Sequence, residues 1–257
     1  MATYKEAKIK KLLAAHKPET ICLASWLKDL GISHDLQKHY RRSGWLESVG
    51  TGAFKRPHDE IGWQGAVYAL QQQAKLPVHV GALSAISLHG AGHYIRLGKE
   101  TIFLLSSLRT QLPAWFRKRE WDHPIQHIKT SFLPEQLGLQ VYDAPIPFTI
   151  SSRERAIMEC LYVAPDCVGI VESFYIMQGL STLRPSVIQP LLEGCQSIKV
   201  KRLFLYMADK VDHAWLEYID QSKLDLGSGD RKIGEGGTYI PRFRISVPRE
   251  LIEADRT

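Results

Sequence analysis

Histidines stand four apart twice in this chain of 257 residues, as His89 with His93 and as His123 with His127. On a helix that spacing places two imidazoles on one face, which is half of a metal site. No third ligand accompanies either pair, and Gly90 and Gly92 interrupt the first. His89 reads instead as a helix cap or as the partner of a core hydrogen bond. Glu154 and Arg155 open a strongly helical run, where a carboxylate suits the positive end of the helix dipole and Arg155 can pair with Glu159 one turn on. The glycine-rich residues 226–237 lack the Gly-Lys-Ser/Thr ending of a phosphate loop and read as a loop before a final strand. Asp122 and Asp143 have no neighbouring acid and lysine of the kind a metal-dependent nuclease needs, and no nucleophile–base pair is readable. Cys22, Cys160, Cys167 and Cys195 form no C-x-x-C pair, which points to buried, reduced thiols rather than disulfides or zinc. The sequence thus predicts no catalytic residue, no metal site and no cofactor, and a protein that is not an enzyme.

The chemistry on offer is recognition of a polyanion. The formal net charge is +6, and residues 1–57 carry all of it, with 11 Lys and Arg against 5 Asp and Glu. The other 200 residues hold 22 of each sign. A basic module joined to a neutral one is the charge signature of a nucleic-acid-binding segment. The residues that would do the work are Ser33, His34, Gln37, Lys38, Arg41 and Arg42, followed by Thr51, Lys55 and Arg56. Lysine and arginine suit guanine edges, glutamine suits adenine, and short polar or basic groups near a turn suit phosphates or a minor groove.

Positioning these residues requires three short helices and a hairpin. A first helix is predicted over residues 3–15, with Ile9, Leu12 and Leu13 as its apolar stripe and Lys5, Lys8 and Lys11 facing water. Pro18 ends it. A second carries Leu23, Leu27 and Leu30 at i, i+4, i+7, and Gly31 supplies the positive φ of the turn that follows. Ser33 caps a third helix over residues 34–42, with Leu36 and Tyr40 inward and Asp35, Gln37, Lys38, Arg41 and Arg42 outward. Gly44 stops it. Residues 45–49 read as a strand, residues 50–52 as a glycine turn, and residues 53–56 as the return strand. This is the pattern of a winged helix-turn-helix whose third helix enters a major groove. The same elements used only for protein contacts are the alternative, and the localised charge argues against it.

The expected fold class is α+β, with the winged helix-turn-helix at residues 1–57, a linking helix within residues 58–76 and a larger mixed α/β domain at residues 77–257. A helix over residues 59–74 precedes strands over residues 78–80 and 102–105 and a helix over residues 82–89. Further helices are expected over residues 153–162, 166–178, 184–193 and 200–210, and residues 239–247 alternate as a single half-buried strand. The apolar stretches are too short to span a bilayer, and no apolar signal core follows Met1, so a cytoplasmic protein without membrane association is expected.

Four segments in this order resemble the AbiEi family: the N-terminal winged helix, Gly81-Ala82-Leu83-Ser84-Ala85-Ile86-Ser87-Leu88-His89-Gly90, Ser152-Arg153-Glu154-Arg155-Ala156-Ile157-Met158-Glu159, and Val200-Lys201-Arg202-Leu203-Phe204-Leu205-Tyr206. The resemblance implies an antitoxin and transcriptional repressor of a type IV toxin–antitoxin system, associated with abortive phage infection. It implies an N-terminal domain that binds inverted repeats of double-stranded DNA in its own promoter, with self-association on DNA. It also implies a C-terminal domain needed for antitoxicity beside a nucleotidyltransferase-like toxin, without a stable complex. Two other readings remain open: a nucleic-acid-processing enzyme whose C-terminal catalytic domain is delivered by the winged helix, and a repressor that senses a small ligand.

Overall fold

The computed structural model describes residues 2–91, 99–234 and 237–254, with side chains from Lys8 onward. It divides into two compact units: Met1–His79 with Arg109–Ile125 and Val141–Thr149, and Val80–Leu108 with Gln126–Gln140 and Ile150–Thr257. The chain opens with α1 (Ala2–Ala15), β1 (Cys22–Leu23), α2 (Ala24–Asp29), α3 (His34–Arg42), β2 (Glu47–Gly50) and β3 (Ala53–Lys55). Then come α4 (Trp63–Tyr68), which runs into a π-helical turn at Ala69–Gln73, β4 (Val78–Val80), α5 (Ala82–Leu88), β5 (Ile102–Ser106) and α6 (Ala114–Arg117). Strands β6 (Ile125–Lys129), β7 (Leu139–Tyr142) and β8 (Phe148–Ser151) precede four helices: α7 (Arg153–Val163), α8 (Ile170–Gly179), α9 (Pro185–Gly194) and α10 (Ile198–Val211). The last elements are β9 (Arg231–Lys232), β10 (Gly237–Ile240), β11 (Ile245–Pro248) and α11 (Arg249–Glu253). The protein is a mixed α+β chain.

In the first unit β3 pairs antiparallel with both β1 and β2, so three helices and a three-stranded sheet stand in the order of a winged helix-turn-helix. Leu12, Cys22, Leu27, Ile32, Tyr40, Leu46 and Phe54 form its core. Gly31 and Gly44 take the left-handed conformation that ends α2 and α3, with φ of +82° and +75°. Three expectations fail here. Leu23 lies in a strand rather than a helix, and its amide donates to the Gln73 Oε1 at 2.8 Å. Leu13 is 40% exposed, because α1 packs through Leu12 and Ile9 instead. The helix expected over residues 59–74 starts at Trp63, whose amide donates to the Asp122 carboxylate at 2.9 Å, and it widens into a π turn after Tyr68.

A five-stranded sheet has the order β6-β5-β4-β8-β7, with β4 and β8 parallel. In the second unit α7 is buried on every side from Glu154 to Leu161, which makes it the central helix against α5, α8 and α10. Its inward carboxylate, Glu159, accepts from Arg155 Nε at 2.7 Å, Ser151 Oγ at 2.7 Å and the Ala82 amide at 2.9 Å. Arg155 in turn donates to the Pro134 and Leu137 carbonyls. This pairing, expected at i, i+4, joins α7 to β8 and to the start of α5. Glu154 contributes more than a helix-dipole charge, since it also accepts from Arg184 Nε at 2.8 Å.

The tail is not one strand. Residues 237–248 form a hairpin, β10 against β11, and β9 adds in parallel to the other edge of β11. Pro241 has no amide to give a ladder, and Arg244 at φ +52° turns the chain back. The glycine-rich loop expected over residues 226–237 therefore contains a short strand.

Candidate nucleic-acid interface

The residues predicted to read a polyanion lie on α3, β3 and the turn between β2 and β3. Ser33 caps α3 by accepting from the Leu36 amide at 3.4 Å, and both Ser33 and the adjacent His34 are exposed. Lys38, Arg41 and Arg42 follow on the exposed face, where three, four and one residue spacings bring them to one side of the helix. Lys38 is only loosely paired with Asp35, at 3.9 Å with both side chains in solvent. Arg41 lies over the Phe54 ring, its guanidinium carbon 5.7 Å from the centroid. That contact with the wing strand restrains a long side chain before any partner arrives. Lys38, Arg41, Arg42, Leu46, Glu47 and Ser48 line one open cleft of about 560 Å³ between the helix and the wing.

Gln37 corrects the sequence reading. Expected outward as an adenine reader, it is 3% exposed, and its Nε2 donates to the Ile32 carbonyl at 2.9 Å and the Ala24 carbonyl at 3.1 Å. It lies three residues before the buried Tyr40, on the inner face, and its amide is committed to tying α3 to the start of α2 and to the turn after it. Gln37 therefore does not present its amide to solvent.

The wing residues are also more engaged than the sequence implies. Thr51 is exposed at the tip, beside Gly52 at φ +72°. Lys55 Nζ lies 3.2 Å from Glu47 and donates to the Asp59 carbonyl at 2.8 Å. Arg56 makes a two-pronged pair with the Asp59 carboxylate at 3.2 and 3.3 Å, with both side chains mostly buried. Their charge is thus partly neutralised within the unit, whereas Lys38, Arg41 and Arg42 leave theirs in the cleft.

Two participants were not read from the sequence. By sequence Phe54 is only a strand residue, whereas in the fold it supplies the ring under Arg41. Gly50 was assigned to the turn, but its φ is not left-handed; a Cβ there would sit 2.8 Å from Trp115 Cβ. Glycine is needed because α6 presses Trp115 against the back of the wing. Nothing local could have signalled a contact between residues so far apart in sequence.

The other candidate groups serve the fold. His89 Nε2 lies 2.8 Å from the Ser151 carbonyl, at the end of α5, and His93 lies outside the described residues. His123 precedes β6 and His127 lies on it, beside the Ser106 hydroxyl at 2.8 Å, so that pair has no helical repeat. Burial lowers the His127 pKa, with Lys129 adding to it. Among the described residues no group of three or more His, Cys, Asp or Glu side chains is placed to hold a metal ion. None of the four cysteines forms a disulfide, and three are buried. No helix among the described residues is long and apolar enough to cross a membrane.

Comparison with known proteins adds a family to this geometry. No curated protein matches the chain in sequence. The crystal structure of the RV2827C protein from Mycobacterium tuberculosis is similar in fold, with a TM-score of 0.58 at 13% identity over 94% of this chain and 90% of that one. Residues 5–97 match the model described as transcriptional regulator, AbiEi antitoxin N-terminal domain. Residues 99–248 match the model described as transcriptional regulator, AbiEi antitoxin, type IV TA system. The chain therefore belongs to the AbiEi family of antitoxins and transcriptional regulators of type IV toxin–antitoxin systems.

Proposed function

We propose that the protein is a sequence-specific repressor and antitoxin that binds inverted repeats of double-stranded DNA in its own promoter. The single observation that carries the DNA reading is the cleft between α3 and the wing, where Lys38, Arg41 and Arg42 are exposed together and Arg41 is held over Phe54. Base readout falls to Arg41, Lys38 and the first turn of α3 at Ser33 and His34, while Arg42 and Thr51 meet phosphates. Lys55 and Arg56 act as a braced support for the wing and meet phosphates only from its edge. The concentration of the +6 charge in residues 1–57 supports a strongly salt-dependent encounter.

The second half of the proposal concerns the partner. Family membership supports an antitoxin that opposes a toxin encoded beside it; we infer a nucleotidyltransferase-like toxin and no stable complex, with the second unit carrying antitoxicity. The protein acts in the cytoplasm as a regulator rather than an enzyme.

The test is anisotropy of a labelled duplex containing the promoter's inverted repeat. A K38A/R41A/R42A variant is expected to stay folded, since exposed substitutions change stability by no more than about 0.5 kcal/mol, and to lose operator binding. R41A alone should cost about 1–3 kcal/mol and relax preference at one base pair. Unchanged operator affinity in the triple variant would remove α3 from the interface. The same variant, expressed with the toxin from an unrelated promoter, should still rescue growth if antitoxicity lies in the second unit.

A further inference from the structure

The small sheet near the C-terminus has two unlike faces. Ile245 and Val247 of β11 are fully buried on one. On the other, the register aligns Lys232, Ser246 and Tyr239 across the three strands, since Ser246 pairs with both of the others. Lys232 is exposed, and Tyr239 is 44% exposed, which is unusual for so large a ring on a sheet. The ring is held in place: its hydroxyl donates to Asp230 Oδ1 at 2.8 Å, and Arg244 Nε meets the same oxygen at 3.2 Å. Arg242 adds an exposed guanidinium group that pairs with Asp209, whereas Arg231, in register with Ile245, belongs to the opposite face.

Beneath this face lies a buried cation without a carboxylate partner at hydrogen-bonding distance. Arg202, 1% exposed, donates to the carbonyls of Leu226, Gly227, Gly229 and Arg244 at 2.8 to 3.0 Å. Neutral carbonyls satisfy its hydrogen bonds and leave its charge. Burial, and then Arg244 and Arg231, lower its pKa, although a guanidinium stays ionised at neutral pH. The field of that charge adds to those of Lys232 and Arg244, against the carboxylate of Asp230. The same four bonds fix the loop before β9 and the residue before β11.

We propose that this face is a second nucleic-acid site, which binds a short single-stranded polynucleotide by stacking a base on Tyr239 and placing the adjoining phosphates at Lys232 and Arg244. An open sheet face with a fixed aromatic ring flanked by basic side chains is the arrangement that unpaired bases fit and a stacked duplex does not. The inference is independent of duplex binding by the first unit.

The test uses the full chain and labelled single strands of about ten nucleotides, RNA and DNA of one sequence in separate arms, measured by fluorescence anisotropy. The parent protein and K38A/R41A/R42A are expected to bind a single strand alike, with the tighter arm naming the sugar. Y239A should weaken binding about tenfold, and Y239F should stay within about twofold because it keeps the ring. K232A should reduce the salt dependence by about one phosphate. No binding by the parent, undiminished binding by Y239A, or loss in the triple variant would overturn the proposal. So would equal affinity of the triple variant for duplex and single strand. Failure of operator binding in the parent would count against the first unit's role only.

Discussion

Replacing Gly50 by alanine tests how the wing is held. The glycine has no left-handed φ, so an alanine there meets no backbone penalty and by itself would stabilise the chain by about 0.4–1 kcal/mol through the unfolded state. Its methyl group, however, would lie 2.8 Å from Trp115 Cβ and 3.1 Å from Trp115 Cα. Trp115 has little freedom to yield: it is 6% exposed and edge-on to both Phe116 and Trp121, at 5.6 and 6.4 Å. Overpacking of this kind costs about 1–3 kcal/mol, and the backbone atom among the close contacts places it in the upper half. The net expectation is a loss of about 1–2 kcal/mol. W115A leaves a cavity and should cost about 3–5 kcal/mol. Alanine at position 115 keeps the Cβ and Cα that the added methyl meets, so the clash persists in the double variant and its loss should lie close to the sum of the two. Guanidinium unfolding followed by far-ultraviolet circular dichroism measures all three. A G50A protein as stable as its parent would refute the close approach.

Three further outcomes are expected. Q37A should cost about 1–3 kcal/mol, since two carbonyls lose their buried donor, and should leave base preference unchanged in a binding-site selection where R41A alters it. R202M should leave four carbonyls without their donor and lower the stability by more than about 3 kcal/mol in thermal unfolding; a loss under 1 kcal/mol, of order one net hydrogen bond, would show that the loop and sheet stand without it. Burial alone would raise the Glu154 pKa, but hydrogen bonds from Arg184, Ser152 and backbone amides outweigh it and hold the carboxyl at about 2 instead of 4.5. A depressed folded-state value stabilises above the unfolded pKa, so this contribution is complete above about pH 5 and is lost as the pH falls toward 2. Arg184 is 58% exposed, which limits the contribution to about 1–2 kcal/mol, and E154Q should flatten the acid limb of a stability curve by that amount.

Sequence and structure divide along physical lines. What depends on neighbours within a turn or two was legible. Ser33 as cap and Gly44 as terminator bound α3 at the residues observed. The Arg155–Glu159 pair follows from one helical turn, and the uneven charge of the two parts of the chain needs only counting. The order of the motifs was enough for the family resemblance. What depends on contacts between distant segments was not legible. The amphipathic pattern of α3 admits Gln37 on either side of its boundary, and only the carbonyls of Ala24 and Ile32 draw it inward. Residues 239–247 alternate like one strand, but the pairing of β10 with β11 requires a turn that alternation cannot reveal. Gly50 has the look of a turn residue, and its reason lies in Trp115, 65 positions away. Arg202 opens a predominantly apolar run, and only tertiary packing ties its buried guanidinium to four carbonyls. Local sequence sets backbone preference and charge, whereas the side a residue faces at such a boundary is decided by which distant groups remain to be satisfied.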